Sequence, residues 1–298
     1  MKTLQAIHRD LSFRAAVCAL CGLLAVAPLD AHESSDLQAE AEAGDMHAQA
    51  DLAAQSYDVQ YFEMAAFWYE RAALQGHAES QYRLAEMYRL GQGITADAGR
   101  AASWYAKAAA QGQADAQYAL GLMYAGGIGV DHDPERAVYW YRQAAERGLA
   151  AAQYNLALRY RHGDGVAQSD EEALRWYTAA AEHGYLEAQF NLAVAYYSGN
   201  GVAVDPAQAA HWFGAAAVQG HVKSQFNLGL LYEAGTGVTA DRVQAWKWLH
   251  LAAASGYQDA VASCAMLERQ MTPEQLAHAQ SLANEWLGRR AAEASATP

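Results

Sequence analysis

Histidine, cysteine and carboxylate side chains are the residues in this chain that could do chemistry. There are 11 His, 3 Cys and 33 Asp plus Glu in 298 residues. A zinc hydrolase on a helix needs two histidines four apart with a glutamate beside the first. No His pair has that spacing, and no H-E-x-x-H occurs. A phosphate-binding loop of the type G-x-x-x-x-G-K-[ST] and a nucleophile elbow G-x-S-x-G are also missing from the sequence. The G-x-G pairs that do occur, such as Gly127 and Gly129, return once every 36 residues, so they read as helix stops rather than phosphate cradles. Cys18 and Cys21 lie near the N-terminus. Cys264 stands alone, so no disulfide staple is expected in the folded body, and a small buried hydrophobe is its expected role. These readings predict no catalytic residue, no metal site and no cofactor.

The spacing itself carries the information. Trp68, Trp104, Trp140, Trp176, Trp212 and Trp248 are 36 residues apart without a slip, and Gly76, Gly112, Gly148, Gly184, Gly220 and Gly256 keep the same interval. A fixed period of this length marks a stack of identical supersecondary units. Within one unit, Ala116, Leu120 and Tyr124 form a stripe at helical spacing, and Gly127 and Gly129 end it. A second helix begins at Asp133, whose equivalents are Asp97, Ser169, Asp205 and Asp241, all side chains that cap a helix N-terminus. Ser169 with Glu172, Asp205 with Gln208 and Asp241 with Gln244 resemble capping boxes. Ala137, Trp140, Tyr141, Ala144 and Ala145 give the second helix its apolar face, and Gly148 closes it. Short amphipathic helix pairs cannot bury both faces alone, so neighbours must stack. Trp140 is expected in the core between them.

The predicted organisation is a signal segment at 1–31, a linker at 32–47 and a degenerate first repeat at 48–79. Five repeats follow at 80–259, then a partial repeat with a capping helix at 260–290 and a disordered tail at 291–298. The signal reading rests on Lys2, Arg9 and Arg14 ahead of the apolar run Ala15 to Ala27, with the cut expected after Ala31. That run is too short to span a bilayer comfortably, so no stable membrane insertion is expected after cleavage. The formal charge is −13, and it becomes −14 once residues 1–31 leave with three basic and two acidic side chains. Such a surface repels polyanions, which excludes nucleic acid as a partner.

The pattern A-x-x-x-L-G-x-x-Y-x-x-G-x-G-V followed by D-x-x-x-A-x-x-W-Y-x-x-A-A-x-x-G, carried here by Ala116, Leu120, Gly121, Tyr124, Gly127, Gly129, Val130, Asp133, Ala137, Trp140, Tyr141, Ala144, Ala145 and Gly148, resembles the Sel1-like repeat. The ending MTPEQLAHAQSLANEWL is similar to the tail of many such proteins. The resemblance covers residues 48 to 268. It implies an all-α, right-handed superhelical solenoid related to tetratricopeptide repeats and a role as an adaptor in protein complexes or signalling. Cysteine-rich secreted members have been linked to β-lactam binding or hydrolysis, but the paired cysteines of those members are missing here.

In tetratricopeptide-like stacks the first helix of each pair lines the concave side. Here it carries an aromatic column, Tyr82, Tyr118, Tyr154, Phe190 and Phe226, beside Asn155, Asn191 and Asn227. A second column, Arg89, Ala125, Arg161, Tyr197 and Glu233, changes from unit to unit, so packing does not dictate it. Tyr82, Arg89, Tyr118, Tyr154, Arg161 and Tyr197 are therefore the candidate contacts with a partner, since Tyr and Arg are enriched among interface anchors. The expected function is an exported, non-enzymatic scaffold that binds proteins. The alternatives are a glycan- or small-molecule-interacting protein, such as a cell-wall hydrolase, and a plain structural spacer.

Overall fold

The computed structural model describes residues 31–296, and the expected signal segment lies outside them except for Ala31. Fifteen α-helices and no strand occur among the described residues. In chain order they are α1 (Ala31–Ala43), α2 (Met46–Asp58), α3 (Phe62–Leu74), α4 (Ala78–Leu90), α5 (Ala98–Ala110), α6 (Ala114–Gly126), α7 (Pro134–Glu146) and α8 (Ala150–His162). They continue as α9 (Asp170–Glu182), α10 (Leu186–Ser198), α11 (Pro206–Val218), α12 (Val222–Ala234), α13 (Arg242–Ala254), α14 (Gln258–Glu268) and α15 (Pro273–Ala296). From α2 to α13 each helix packs on the one before and the one after, so the core is a continuous seam without a domain boundary.

The local rules act as the sequence dictates. Asp97, Asp133, Ser169, Asp205 and Asp241 each accept a backbone N–H of the following turn. The reciprocal half of a capping box forms at Thr272 and Gln275 instead, where each side chain serves the other's backbone N–H. The first glycine of each G-x-G pair closes the first helix in the left-handed region, as Gly127 does at φ 62°. The second has a further duty. At Gly129 (φ 70°) an added β-carbon would fall inside the backbone of Ala98, the first residue of the preceding unit's second helix. The G-x-G turn is therefore the point where neighbouring units touch main chain to main chain.

The deepest aromatic column is not the tryptophans. Trp140 is half-buried, whereas its neighbour Tyr141 is 1 % exposed. Tyr105, Tyr177, Phe213 and Leu249 occupy the same buried place in the other units. Trp140 packs against the edge of the core as expected, and Trp68, Trp176 and Trp248 are buried, but the residue after Trp140 is the one that points down the seam between the first helices of two units. There it meets a column of small residues, and a β-carbon on Gly121 would stand 2.7 Å from Tyr141 Cδ1.

A buried polar ladder runs beside this seam. Gln49, Gln81, Gln117, Gln153, Gln189 and Gln225 are all buried. Each donates its Nε2 to a carbonyl eight residues back, on Ala41, Ala73, Ala109, Ala145, Ala181 and Ala217. Their Oε1 atoms accept from the end of their own unit's second helix: Gln75 to Gln49 at 2.9 Å, Gln111 to Gln81 at 2.8 Å and Gln219 to Gln189 at 2.8 Å. The Oε1 atoms of Gln117 and Gln225 are buried without a partner, since Arg147 and Ser255 stand where the donor Gln would be.

Both ends differ from the expected organisation. Residues 32–47, expected as a linker, hold α1, whose Ala41 is fully buried and receives Gln49 as Ala73 receives Gln81. This helix takes the place that a second helix holds in the other units, and it is the first helix among the described residues. Between α2 and α3 the turn has only Val59, Gln60 and Tyr61 in place of the longer glycine turn, and Gln60 itself adopts φ 64°. That shortening places Gln49 32 residues before Gln81, four fewer than the interval of 36 kept by the later units. At the other end the tail expected to be disordered is helical as far as Ala296, in keeping with its alanine-rich sequence. The helix α15 packs on α13 through Ala279 and Ala283, which are buried.

Candidate partner-binding site

The first-helix column Tyr82, Tyr118 and Tyr154 is half-buried, and each ring tilts against the deep tyrosine of the same unit at a centroid distance of 5.9 Å. The hydroxyls of Tyr118 and Tyr154 accept from Asn155 Nδ2 at 3.1 Å and Asn191 Nδ2 at 3.4 Å, one unit further on. Burial pushes all three phenols above their ordinary pKa, so they stay neutral donors and acceptors. These tyrosines join units together and offer only an edge to solvent.

Arg89, Arg161 and Tyr197 sit in one column at the C-terminal ends of α4, α8 and α10 and fare differently. Arg89 is held by Glu86 at 2.6 Å. Glu86 is opposed by burial, but hydrogen bonds from Arg89 and Tyr105 outweigh it and hold its carboxyl below the usual range. Arg89 is thereby neutralised. Arg161 has Leu158 at the place of Glu86 and makes no ion pair among the described residues. Tyr197 is 54 % exposed.

Arg161 opens into a shallow, solvent-open cleft of about 30 Å³ that Asp170, Leu174, Tyr177, Asn191, Val194 and Asn200 also line. Sequence reasoning passes over Tyr177 and Asn200. The signal for Tyr177 is the fate of one hydroxyl along the stack. Tyr105 donates its own to Glu86. At Tyr141 the guanidinium of Arg159 lies beside the ring, 5.8 Å from its centroid. Phe213 and Leu249 have no hydroxyl to satisfy. The Tyr177 hydroxyl is buried, and no hydrogen bond of acceptable geometry reaches it. Burial raises its pKa, while the Arg161 guanidinium beside it pulls the other way. No group of three or more metal-ligating side chains occurs among the described residues.

These repeating columns match a known pattern. A family model described as the Sel1 repeat fits residues 47–77, 78–113, 114–149, 150–185, 186–221 and 222–257. The chain belongs to the Sel1 repeat family. The first matched unit covers the worn segment with the short turn, so it is a true Sel1 repeat despite its missing glycines. The crystal structure of a Sel1 repeat protein from Oxalobacter formigenes is 31 % identical, with a TM-score of 0.64 over 79 % of this chain and 96 % of that one. A protective antigen present in uropathogenic Escherichia coli strains is 30 % identical over 87 % of this chain and 72 % of that one, with a TM-score of 0.35. A putative Sel1 repeat protein from Klebsiella pneumoniae is 21 % identical over 68 % of this chain and 99 % of that one, with a TM-score of 0.41. No curated protein matches the chain. Among the described residues of this Sel1 repeat stack no helix is long and apolar enough to cross a membrane.

Proposed function

We propose that this Sel1 repeat chain is an exported, non-enzymatic scaffold that binds a protein partner along the first-helix face of the stack. The observation that carries the reading is the contrast within one lattice column. Packing fixes the residue type at most positions of a Sel1 unit, yet Arg89, Ala125, Arg161, Tyr197 and Glu233 differ in charge and size at equivalent places. Arg161, Tyr197 and Glu233 are the three that neither an ion pair among the described residues nor the core engages. Residues free of a packing duty can be chosen by a partner. Export rests on the basic and apolar order of residues 1–31. The test is affinity capture of the exported protein with crosslinking, run beside the double variant Arg161→Ala with Tyr197→Ala. The reading expects a partner that the wild type retains and the double variant releases. Equal capture by both would refute the site.

A further inference from the structure

We infer that the cleft at Arg161 is a receptor for the carboxylate of an acidic side chain on a peptide lying across units 150–185 and 186–221. The inference rests on the protein-binding reading above and names the chemistry of what one part of that face takes.

Three observations converge on the cleft. The Arg161 guanidinium is half-buried and makes no ion pair among the described residues, although the protein has a net charge of −13 and acids are plentiful. The Tyr177 hydroxyl is buried, the residue being only 4 % exposed, and it makes no hydrogen bond of good geometry although the Arg161 guanidinium lies beside it; Tyr177 lines the same cavity. Buried polar groups are nearly always paired, so a lone one beside a free cation marks a place for a further acceptor. The Asn200 carboxamide, on the turn after α10, makes no hydrogen bond among the described residues and completes the rim. Apart from the carboxylate of Asp170, the polar groups that line the cavity are thus a planar cationic donor and neutral hydroxyl and carboxamide groups. A carboxylate accepts two parallel hydrogen bonds from a guanidinium, the geometry Arg is suited to. Leu174, Val194, Ala173 and Ala195 supply an apolar wall for a short methylene stem.

Asp170 is the one acid at the rim. It is the first residue of α9, where the helix N-terminus stabilises its charge, and it lies beyond ion-pair distance of Arg161. It therefore opposes an incoming carboxylate and would favour an incoming cation, which gives the test its sign. The other units do not repeat the arrangement. Arg89 is paired with Glu86, Ala125 and Tyr197 carry no charge, and Glu233 reverses it.

The experiment is an NMR titration of the purified protein, following the Arg161 Nε–H signal. The probes are acetyl-Ala-Glu-Ala-amide, its Gln and Lys counterparts, and acetyl-Ala-Ala-Ala with a free C-terminus. A single charge-assisted contact gives weak binding, with Kd on the order of 1 mM. The Glu peptide is expected to shift Arg161 and residues of α9 and α10, and raised salt is expected to weaken it. Arg161→Gln is expected to weaken it about tenfold or more, and Asp170→Asn to tighten it, in proteins whose melts match the wild type. Tyr177→Phe serves as a second variant that keeps the ring and removes the hydroxyl, and it is expected to weaken binding as well. Equal shifts with the Gln peptide, tighter binding of the Lys peptide or of the free C-terminus, or weaker Glu binding in Asp170→Asn would each overturn the inference. Failure here with partner capture still dependent on Tyr197 would leave the scaffold reading standing, so the two fail separately.

Discussion

Gly121 on α6 lies flat against the buried ring of Tyr141 on α7. A β-carbon added to Gly121 would sit 2.7 Å from Cδ1 and 2.8 Å from Cε1 of that ring. In the neighbouring units Ala85 and Ala157, both buried, fill the same lattice place. Gly121→Val therefore overpacks the seam and is expected to lower stability by about 1–3 kcal/mol. Tyr141→Ala empties it and is expected to cost about 3–5 kcal/mol, more than Trp140→Ala, because Trp140 is half-exposed. Denaturant midpoints for the three variants check the order. A larger loss at Trp140 than at Tyr141 would contradict the seam.

Gly129 and Gly148 both have positive φ, 70° and 87°, but only the first touches another unit. Gly148→Ala meets nothing within 4 Å, so it carries the backbone cost alone, about 1 kcal/mol. Gly129→Ala adds a collision with the main chain at Ala98 and is expected to destabilise several-fold more. The comparison is made by thermal melting of the two single variants, and equal losses would show that the G-x-G turn is only a stop.

The glutamine ladder has two missing rungs, at Gln117 and Gln225. Gln81→Leu removes the hydrogen bonds to the Ala73 carbonyl and from the Gln111 amide, each of which keeps a second partner at Gly76, and is expected to cost about 1 kcal/mol. Arg147→Gln places a donor where Gln111 and Gln219 have one, beside the unpaired Gln117 Oε1. It is expected to stabilise the stack by about 0.5–1.5 kcal/mol, a gain that urea denaturation can detect.

His77 and His221, 144 residues apart, cap α4 and α12 by accepting from Ser80 N–H and Ser224 N–H through Nδ1, each at 3.3 Å. The cap requires the neutral ring. Burial holds the pKa of both below the ordinary value, and at His77 the nearby His47 adds to this. The unfolded chain thus binds protons more readily than the folded one near pH 6.5. The contribution of the two caps is present above that value and is lost as the pH falls below it. Stability measured from pH 7.5 to pH 5 is expected to decline, and less steeply in His77→Asn with His221→Asn, where the caps no longer titrate. Parallel declines would remove the histidines from the account.

Much of this was legible in the spacing. The caps at Asp133 and Ser169, the stops at Gly127 and Gly163, and the pairing of helices follow from local rules that one unit displays and the others repeat. Depth was not legible, because Trp140 and Tyr141 are adjacent and only the turn of α7 decides which ring enters the seam. The glutamines escaped notice because a polar residue at a fixed spacing reads as surface until its carbonyl partner is known. The helix α1 was concealed by the short turn that follows α2, which shifts Ala41 and Gly44 to 32 residues before Ala73 and Gly76. The difference between Arg89 and Arg161 can be read in retrospect from the residue three places earlier, Glu86 in one and Leu158 in the other. The orphan hydroxyl of Tyr177 could not, since it depends on what neighbouring helices fail to supply.

The central claim is that partners engage the first-helix face and not the second. Tyr197 on α10 and Tyr139 on α7 are both 54 % exposed and so form a matched pair. A photo-crosslinking amino acid placed at one or the other in the exported protein tests the claim most directly. The account predicts that the residue at 197 captures the same discrete protein in repeated trials and that the residue at 139 captures none. Capture from 139 alone, or equally from both, would contradict it.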